Sequence, residues 1–398
     1  MAYWASELVD LTEDQLAIAE AVREFVENEV YPVADEMEHR DEFPDKLVEQ
    51  LKEMGLFGLT VKEEYGGAGL DLMTYALTVV ELARGWMSLS GVLNTHFMAC
   101  YLIDKFGTDD QKQRFLPRLA TGEIRASLSM SEHGAGSDVQ AILCKAIRDG
   151  DDYVIDGTKM WVTNGLRSGL VVLLAKTDPE ADPPYTGMSL FLAEKEPGAE
   201  RSGGITVPPP LEKMGYKGVE TTELVFEGHR VAATDLLGGE EGQGFQQVLD
   251  GIEVGRVNVS ARAVGVATRA FEEAIAYAQV REAFGKTISK HQAIQFMLAD
   301  MGTKLQAARL MLLAAAKAKV EGKRADLEAG MSKLFCAEAC HQIVTDSLRV
   351  HGGYGYSKEY TIERLYRDAP FLLIGEGTSE IQKLVIGREL LERYKVQN

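Results

Sequence analysis

Basic residues are in short supply in this chain of 398 residues. Lys and Arg number 42 against 61 Asp and Glu, a formal net charge of −19. Gripping a nucleic-acid backbone requires a basic face, so this balance speaks against nucleic acid as the main partner. Cysteine is rarer still. The four, Cys100, Cys144, Cys336 and Cys340, include no CxxC pair. Cys336, Cys340 and His341 fall together in "KLFCAEACHQIV". In such a helical run buried thiols are the expectation, not a metal site. Disulfides are not expected, which favours a reducing compartment. No apolar run reaches the length of a membrane span. The start, "MAYWASELVDLTEDQ", has neither a basic n-region nor an apolar h-region. The expectation is a cytoplasmic protein, or one already processed.

Proline is missing unevenly. Seven of the 11 lie at positions 179–210, and none from 211 to 369. The middle is therefore turn-rich, and much of the last third is free to be helical. At 45% hydrophobic and 26% charged, the composition is that of a soluble globular protein. The length exceeds one ordinary core and implies two or three domains.

The hydrophobic period divides the chain in three. "TEDQLAIAEAVREFVENEV" puts Leu16, Ala19, Val22, Phe25 and Val26 on one helical face, with Thr12 and Gln15 as a possible cap. Helical patterns continue to Gly85 and Gly122 as stops. "RDGDDYVIDGTKMWVTNG" then carries two Asp-Gly dipeptides beside alternating apolar residues, the hairpin signal. "LVVLLAKT", "GMSLFLAEK" and "TTELVFEG" are further strand candidates. From "AIQFMLADMGTKLQAARLMLLAAAKAKV" the period is helical again, with Ile294, Met297, Leu298, Met301, Leu305, Ala308 and Leu312 on one stripe. The fold expected is mostly α with a central β domain. It comprises a helical domain (1–122), a small barrel-like sheet domain (123–235) and a C-terminal helical bundle (236–398).

Three segments carry chemical information. In "LSMSEHGAGSDVQ" a strand runs into a turn at Gly134 and Gly136, where Ser131, Ser137 and free N–H groups can grip an oxygen-rich ligand. A sharp turn between strands needs the same residues. In "KMWVTNG", Trp161 and Thr163 share parity on a strand, which suits a flat heteroaromatic ring; a core Trp with a nearby Thr reads the same way. In "REAFGKTISKHQAIQF", Arg281 and Lys286 bracket Gly285 and can hold a diphosphate, although a helix C-cap explains the glycine equally.

Together, in order and spacing, these segments resemble the acyl-CoA dehydrogenase family over nearly the whole chain. The other matching stretches are "KMGYKGVETTELVFEGHRV", "RVHGGYGYSKEYTIERLYRDA" and "GEGTSEIQ". The resemblance implies the same three-part architecture, ending in a four-helix bundle. It also implies one FAD per subunit, an acyl-CoA substrate, a role in fatty acid metabolism and electron-transferring flavoprotein as partner. By similarity Leu128, Ser129, Met130, Ser131, Gly136 and Ser137 line the flavin, Ser131 in place of a usual threonine. Trp161 and Val162 cover it, and Thr163 resembles the hydroxyl that bonds flavin N5. Arg281, Phe284 and Gln292 resemble residues that reach the FAD of a neighbouring subunit, which implies an oligomer, usually a tetramer built as a dimer of dimers. Arg349, Val350, Gly352 and Gly353 are similar to another cofactor-binding turn, and Thr378 and Glu380 approach the cofactor. Ser137, Glu253, Arg256 and Gly377 resemble substrate contacts, Glu253 being either such a contact or solvated.

Glu376 stands at the family's usual base position, where it would take the α-proton of the thioester while a hydride leaves Cβ for the flavin. Some relatives carry the base just before the arginine matching Arg256; here that residue is Gly255. Three departures stand out: His133 for a proline, Arg349 for a glutamine, and Gly375 for a frequent tyrosine. The last is expected to open space for a branched, cyclic or aryl acyl group. The pocket floor is expected from "ARGWMSLSGVLNTHFMA", with Trp86, Met87, Asn94, His96 and Met98, His96 in a structural role. An oxidase, a dehydrogenase of carrier-bound acyl groups and a non-catalytic thioester binder are the competing readings. Within "LLIGEGTSEIQKL", Ser379 and Gln382 fit a capping box that makes Glu380 the first helical residue, whereas Glu376 lies in a glycine-bracketed turn that no helical role explains.

Overall fold

The computed structural model describes residues 3–322 and 325–396, so the outer limits expected for the first and last domains, residues 1 and 398, lie outside the described residues. Among the described residues six α-helices come first: α1 (Glu13–Phe25), α2 (Ala34–His39), α3 (Asp45–Glu53), α4 (Leu72–Gly85), α5 (Met87–Phe106) and α6 (Asp109–Ala120). Thr12 and Gln15 do form the reciprocal cap of α1: the Gln15 N–H donates to Thr12 Oγ1, and the Thr12 N–H donates to Gln15 Oε1. Glutamine thus does the work of the usual glutamate. Ala19, Val22, Phe25 and Val26 are buried, as the stripe requires. Helices α4 and α5 are instead buried almost all round. They meet at Trp86, whose extended backbone breaks the helix and whose buried indole N–H donates to Glu38 Oε2 at 2.8 Å.

The middle of the chain is a curled sheet. Its strands are β1 (Ala126–Ser129), β2 (Lys145–Asp149), β3 (Asp152–Thr163), β4 (Leu170–Lys176), β5 (Met188–Glu194), β6 (Arg201–Ser202), β7 (Ile205–Thr206) and β8 (Thr221–Ala232). The order is β1-β4-β2-β3-β8-β7-β6, with β5 paired to β4. Only the first Asp-Gly dipeptide makes the hairpin, Gly150 taking φ 66 between β2 and β3. The second is a bulge inside β3. Gly157 takes φ 147 there, and a Cβ on it would lie 2.6 Å from Cys144 Cα. β4 and β5 read as unbroken apolar runs because both faces are covered. Val171, Leu173 and Phe191 join the sheet's own core, while Val172, Leu174 and Leu190 join the helical core.

Three long helices and two short ones complete the described residues: α7 (Gly244–Val280), α8 (Gln292–Val320), α9 (Asp326–His351), α10 (Ile362–Ile374) and α11 (Ser379–Arg393). A small hairpin, β9 (Glu282–Ala283) and β10 (Lys286–Thr287), joins α7 to α8. Helix α9 packs against the other four, and α4 and α5 pack on α7. One apolar cluster therefore joins both helical parts and one sheet face. On α8, Met301, Leu305, Ala308 and Leu312 are buried, but Ile294, Met297 and Leu298 only partly, beside an exposed Phe296. Cys336 and Cys340 are buried free thiols. Among the described residues no helix is long and apolar enough to cross a membrane.

Candidate active site

The turn between α10 and α11 is strained at the residue expected to be the base. Glu376 has φ 54, a region non-glycine residues rarely occupy, and Gly377 follows at φ 89. Two buried side chains hold it. Gln382 Nε2 donates to the carbonyls of Glu376 and Gly377 at 3.3 and 3.2 Å, and Lys333 Nζ donates to the Gly377 carbonyl at 2.7 Å. The cap of α11 differs from expectation. Thr378, not Ser379, is the N-cap: its hydroxyl accepts the Ile381 N–H at 3.3 Å. Gln382 is occupied with the turn carbonyls, so it does not reach back to complete a box. Glu380 is the second helical residue, exposed, and hydrogen bonds from its own N–H and from Thr378 hold its carboxyl below the usual range.

Glu376 is half-buried as a residue, but its carboxyl end is enclosed, and its two oxygens are treated differently. Oε1 accepts from Asn94 Nδ2 on α5; Oε2 is buried with no partner. Burial pushes the carboxyl above its ordinary range, against the lowering influence of Arg262, Asn94, Lys333 and Arg256. Oε2 faces Gly255 on α7. A Cβ there would lie 1.9 Å from it. Gly255 is therefore the residue that leaves room for this carboxylate.

The space expected at Gly375 is filled. A Cβ on it would meet the Phe371 ring at 2.7 Å, and Phe371 stacks on Tyr216 with centroids 4.8 Å apart. The space beside Gly375 is thus taken by Phe371, one turn earlier on α10, held there by its stack on the distant Tyr216, which corrects the inference of an enlarged pocket.

Helix α5 ties the distant segments together. Asn94 holds Glu376; Thr95 Oγ1 donates to the Ala126 carbonyl at 3.2 Å and accepts from Asn164 Nδ2 at 2.9 Å. His96 accepts the Ala126 N–H on Nδ1 and bonds the Phe57 carbonyl through Nε2; burial depresses it to about 4, so it is a neutral structural side chain. The first two motifs pack on each other. Met160 N–H donates to the Ser131 carbonyl at 2.8 Å, and Lys159 Nζ bridges the Met130 carbonyl and Glu132 Oε1. Glu132 also accepts the N–H groups of Leu143 and Cys144, so it braces the turn. Sequence inspection passes over this carboxylate because "SEHGAGSD" reads as surface. At Gly134 and Gly136 a Cβ would meet nothing within 4 Å, and neither has a left-handed φ. Ser137 is exposed beside them, while His133 pairs with Glu223 at 3.4 Å.

Val162 is buried, whereas Thr163 is only partly covered and the Trp161 ring is 60% exposed. The alternation holds, but the strand is not regular: Trp161 has φ 61, at a bulge between Lys159 and Val162. Of the expected substrate contacts, Arg256 is buried with Nε unpartnered. Glu253 is not solvated. Oε1 accepts the Ala325 N–H at 3.0 Å and Oε2 pairs with Lys319 at 2.9 Å, so both oxygens are committed to the α8–α9 connection.

A second group gathers elsewhere. Arg281, Phe284, Val350, Gly352 and Gly353 line one cleft of about 770 Å³; Arg349 and Gln292 are not among its lining residues. Arg349 pairs with Asp346 at 3.3 Å. Gly285 is no helix cap. It and Phe284 are the two central residues of the β9–β10 hairpin, at φ 75 and 54, and Phe284 is 95% exposed. Along α7 this cleft lies roughly 39 Å from Gly255, at 1.5 Å per residue. The cleft and the pocket around Glu376 share no lining residue.

Three models of a single family match in order: acyl-CoA dehydrogenase N-terminal domain over residues 12–123, middle domain over 127–229 and C-terminal domain over 242–391. The chain belongs to the acyl-CoA dehydrogenase family. It is accordingly an oxidoreductase acting on CH–CH bonds, in a family that depends on FAD. The first two motifs of this family member fit such a group: an exposed indole on a strand, a buried Ser129 hydroxyl without a partner, and open space at both glycines. The chain is 40% identical to a (2S)-methylsuccinyl-CoA dehydrogenase of Cereibacter sphaeroides, over 96% of this chain and 70% of that one. It is 39% identical to a 3-(aryl)acrylate reductase of Clostridium sporogenes, over 96% and 99%. Its fold is similar to a solved chain from work on the electron transferring flavoprotein of Acidaminococcus fermentans and flavin-based electron bifurcation, with TM-score 0.92, 37% identity, and 96% and 99% of the chains covered.

Proposed function

We propose that this protein catalyses the α,β-dehydrogenation of an acyl-CoA thioester to the trans-2-enoyl-CoA, with Glu376 as the base. One observation carries the reading: a buried carboxylate in a strained turn, one oxygen held by Asn94 and the other left without a partner in a gap that Gly255 keeps open. Oε2 takes the α-proton. Burial makes this carboxylate a stronger base than a solvated one, which suits a weakly acidic C–H. Asn94 fixes the side chain, while Lys333 and Gln382 fix its backbone, so little reorganisation remains for the reaction. The flavin, when bound, supplies the hydride acceptor that no side chain can provide.

Ser129, Met130, Ser131, Gly136, Ser137, Trp161, Val162 and Thr163 are the residues we assign to the flavin, with Leu128, Thr378 and Glu380 at its edge. Arg256, Ser137 and Gly377 are assigned to the thioester. Glu253 is left out, since both its oxygens are engaged. The Arg281–Phe284 cleft is too far along α7 to complete the same site, which supports service to a neighbouring copy in an oligomer. Electron-transferring flavoprotein is the proposed recipient of the electrons.

The test is Glu376→Gln. The variant is expected to stay yellow and bind acyl-CoA while dye-coupled turnover falls by orders of magnitude. Retained turnover would remove Glu376 from the role of base.

A further inference from the structure

Two turns beyond Gly255 on α7 stands Arg262. Seven residues of α-helix return to nearly the same face, and the side chain leans towards the helix N-terminus, that is, towards Glu376. Arg262 is 1% exposed. Nη1 donates to the Tyr216 hydroxyl at 3.2 Å; Nε and Nη2 are buried and have no partner. The guanidinium carbon lies 5.6 Å from the Tyr216 ring centroid and 5.8 Å from that of Phe371. Those are the rings that fill the space at Gly375.

Several features keep this arrangement in place. Tyr216 is held at φ 58 with its N–H on Asp368 Oδ1 at 2.6 Å. Gly91 is a glycine because a Cβ would sit 1.7 Å from the Tyr216 hydroxyl. Yet no carboxylate pairs with Arg262 among the described residues. A fully buried guanidinium with two unsatisfied nitrogens is costly, because desolvation is repaid only by a close anion. The charge does act on Glu376, but Glu376 becomes neutral once it takes the α-proton. It cannot remain the counter-charge through the reaction.

We infer that Arg262 binds a carboxylate on the acyl group, so that the substrate is the CoA monothioester of a short dicarboxylic acid. The inference rests on the proposed base, since it places the acyl chain between Glu376 and Arg262. The two free nitrogens match the two oxygens of a carboxylate, the geometry for which arginine is suited. A short acyl chain is implied because both groups project from the same stretch of α7 and its facing turn.

The experiment compares glutaryl-CoA with pentanoyl-CoA and with the methyl ester of glutaryl-CoA, which are close to it in length but lack the charge. Binding to the holoenzyme is followed by the flavin spectral shift and by calorimetry, and turnover by dye reduction. Wild type is expected to bind and oxidise glutaryl-CoA about 100-fold better than either neutral thioester, the scale of a lost partner to a buried charge. Arg262→Met is expected to collapse that ratio to near one, and Arg262→Lys to keep part of it. If Arg262→Met fails to fold, the wild-type ratio and the lysine variant still decide. Equal or better binding of the neutral thioesters by wild type overturns the proposal. So does an Arg262→Met variant that loses the same factor on all three, which would mark Arg262 as a positioning residue for Glu376. Binding discrimination without turnover of any thioester would uphold Arg262 and count against Glu376 as base.

Discussion

Replacing Gly255 by alanine tests the site most sharply, because helix propensity and site geometry push in opposite directions. Gly255 lies inside the continuous helix α7, where alanine is favoured over glycine by about 1 kcal/mol. The backbone therefore has no reason to reject the change. The site does. The new Cβ would stand 1.9 Å from Glu376 Oε2, 3.0 Å from its Cδ and 3.2 Å from Met98 Cε. Ordinary carbon–oxygen contact requires a retreat of about 1.5 Å. The carboxylate cannot take it up freely, because Asn94 holds Oε1 and the backbone is pinned by Gln382 and Lys333. Misplacing a reacting group by about 1 Å can cost on the order of 100-fold in rate, or about 2.7 kcal/mol of barrier. We expect Gly255→Ala to keep wild-type FAD content and thermal stability while kcat falls about 100-fold in anaerobic dye-coupled assays. A kcat within threefold of wild type, on the same acyl-CoA, would refute the placement of Oε2.

Other expectations rest on the same geometry. Log kcat/KM should fall as pH drops through the raised pKa of Glu376, because the base must be ionised; Lys333→Met removes a cation that lowers this pKa, so the acidic limb should move to higher pH. Moving the carboxylate across the gap, in Gly255→Glu/Glu376→Gly, should recover more turnover than Glu376→Gly alone. Glu253→Ala leaves Lys319 and the Ala325 N–H without their partner, and should cost on the order of 3 kcal/mol in urea denaturation while the KM for acyl-CoA stays within twofold. Trp161→Ala, at a 60% exposed position, should change apoprotein stability by only about 0.5 kcal/mol but weaken FAD binding at least tenfold, measured by flavin release.

The sequence by itself determined the alternation of helix, sheet and helix, since hydrophobic period and proline distribution are local properties. It also separated Glu376 from Glu380, because two glycines around one carboxylate mark a turn and a polar cluster before an apolar run marks a helix start. Where it misleads, the deciding partner lies outside the pattern being read. Ser379 suggests the cap because capping boxes are read over four residues, but Gln382 is already bound to the carbonyls behind Glu376. Gly375 suggests an opening because nothing in that stretch says that Tyr216, far away in sequence, stacks on Phe371 and holds that ring against it. Glu253 looks free because its partners come from the connection between two other helices. The tertiary structure alone decided which oxygen of Glu376 is left open, that Asn94 holds the other, and that Arg262 is buried with two nitrogens unpartnered. Those are properties of desolvation and close packing, and only the assembled core creates them.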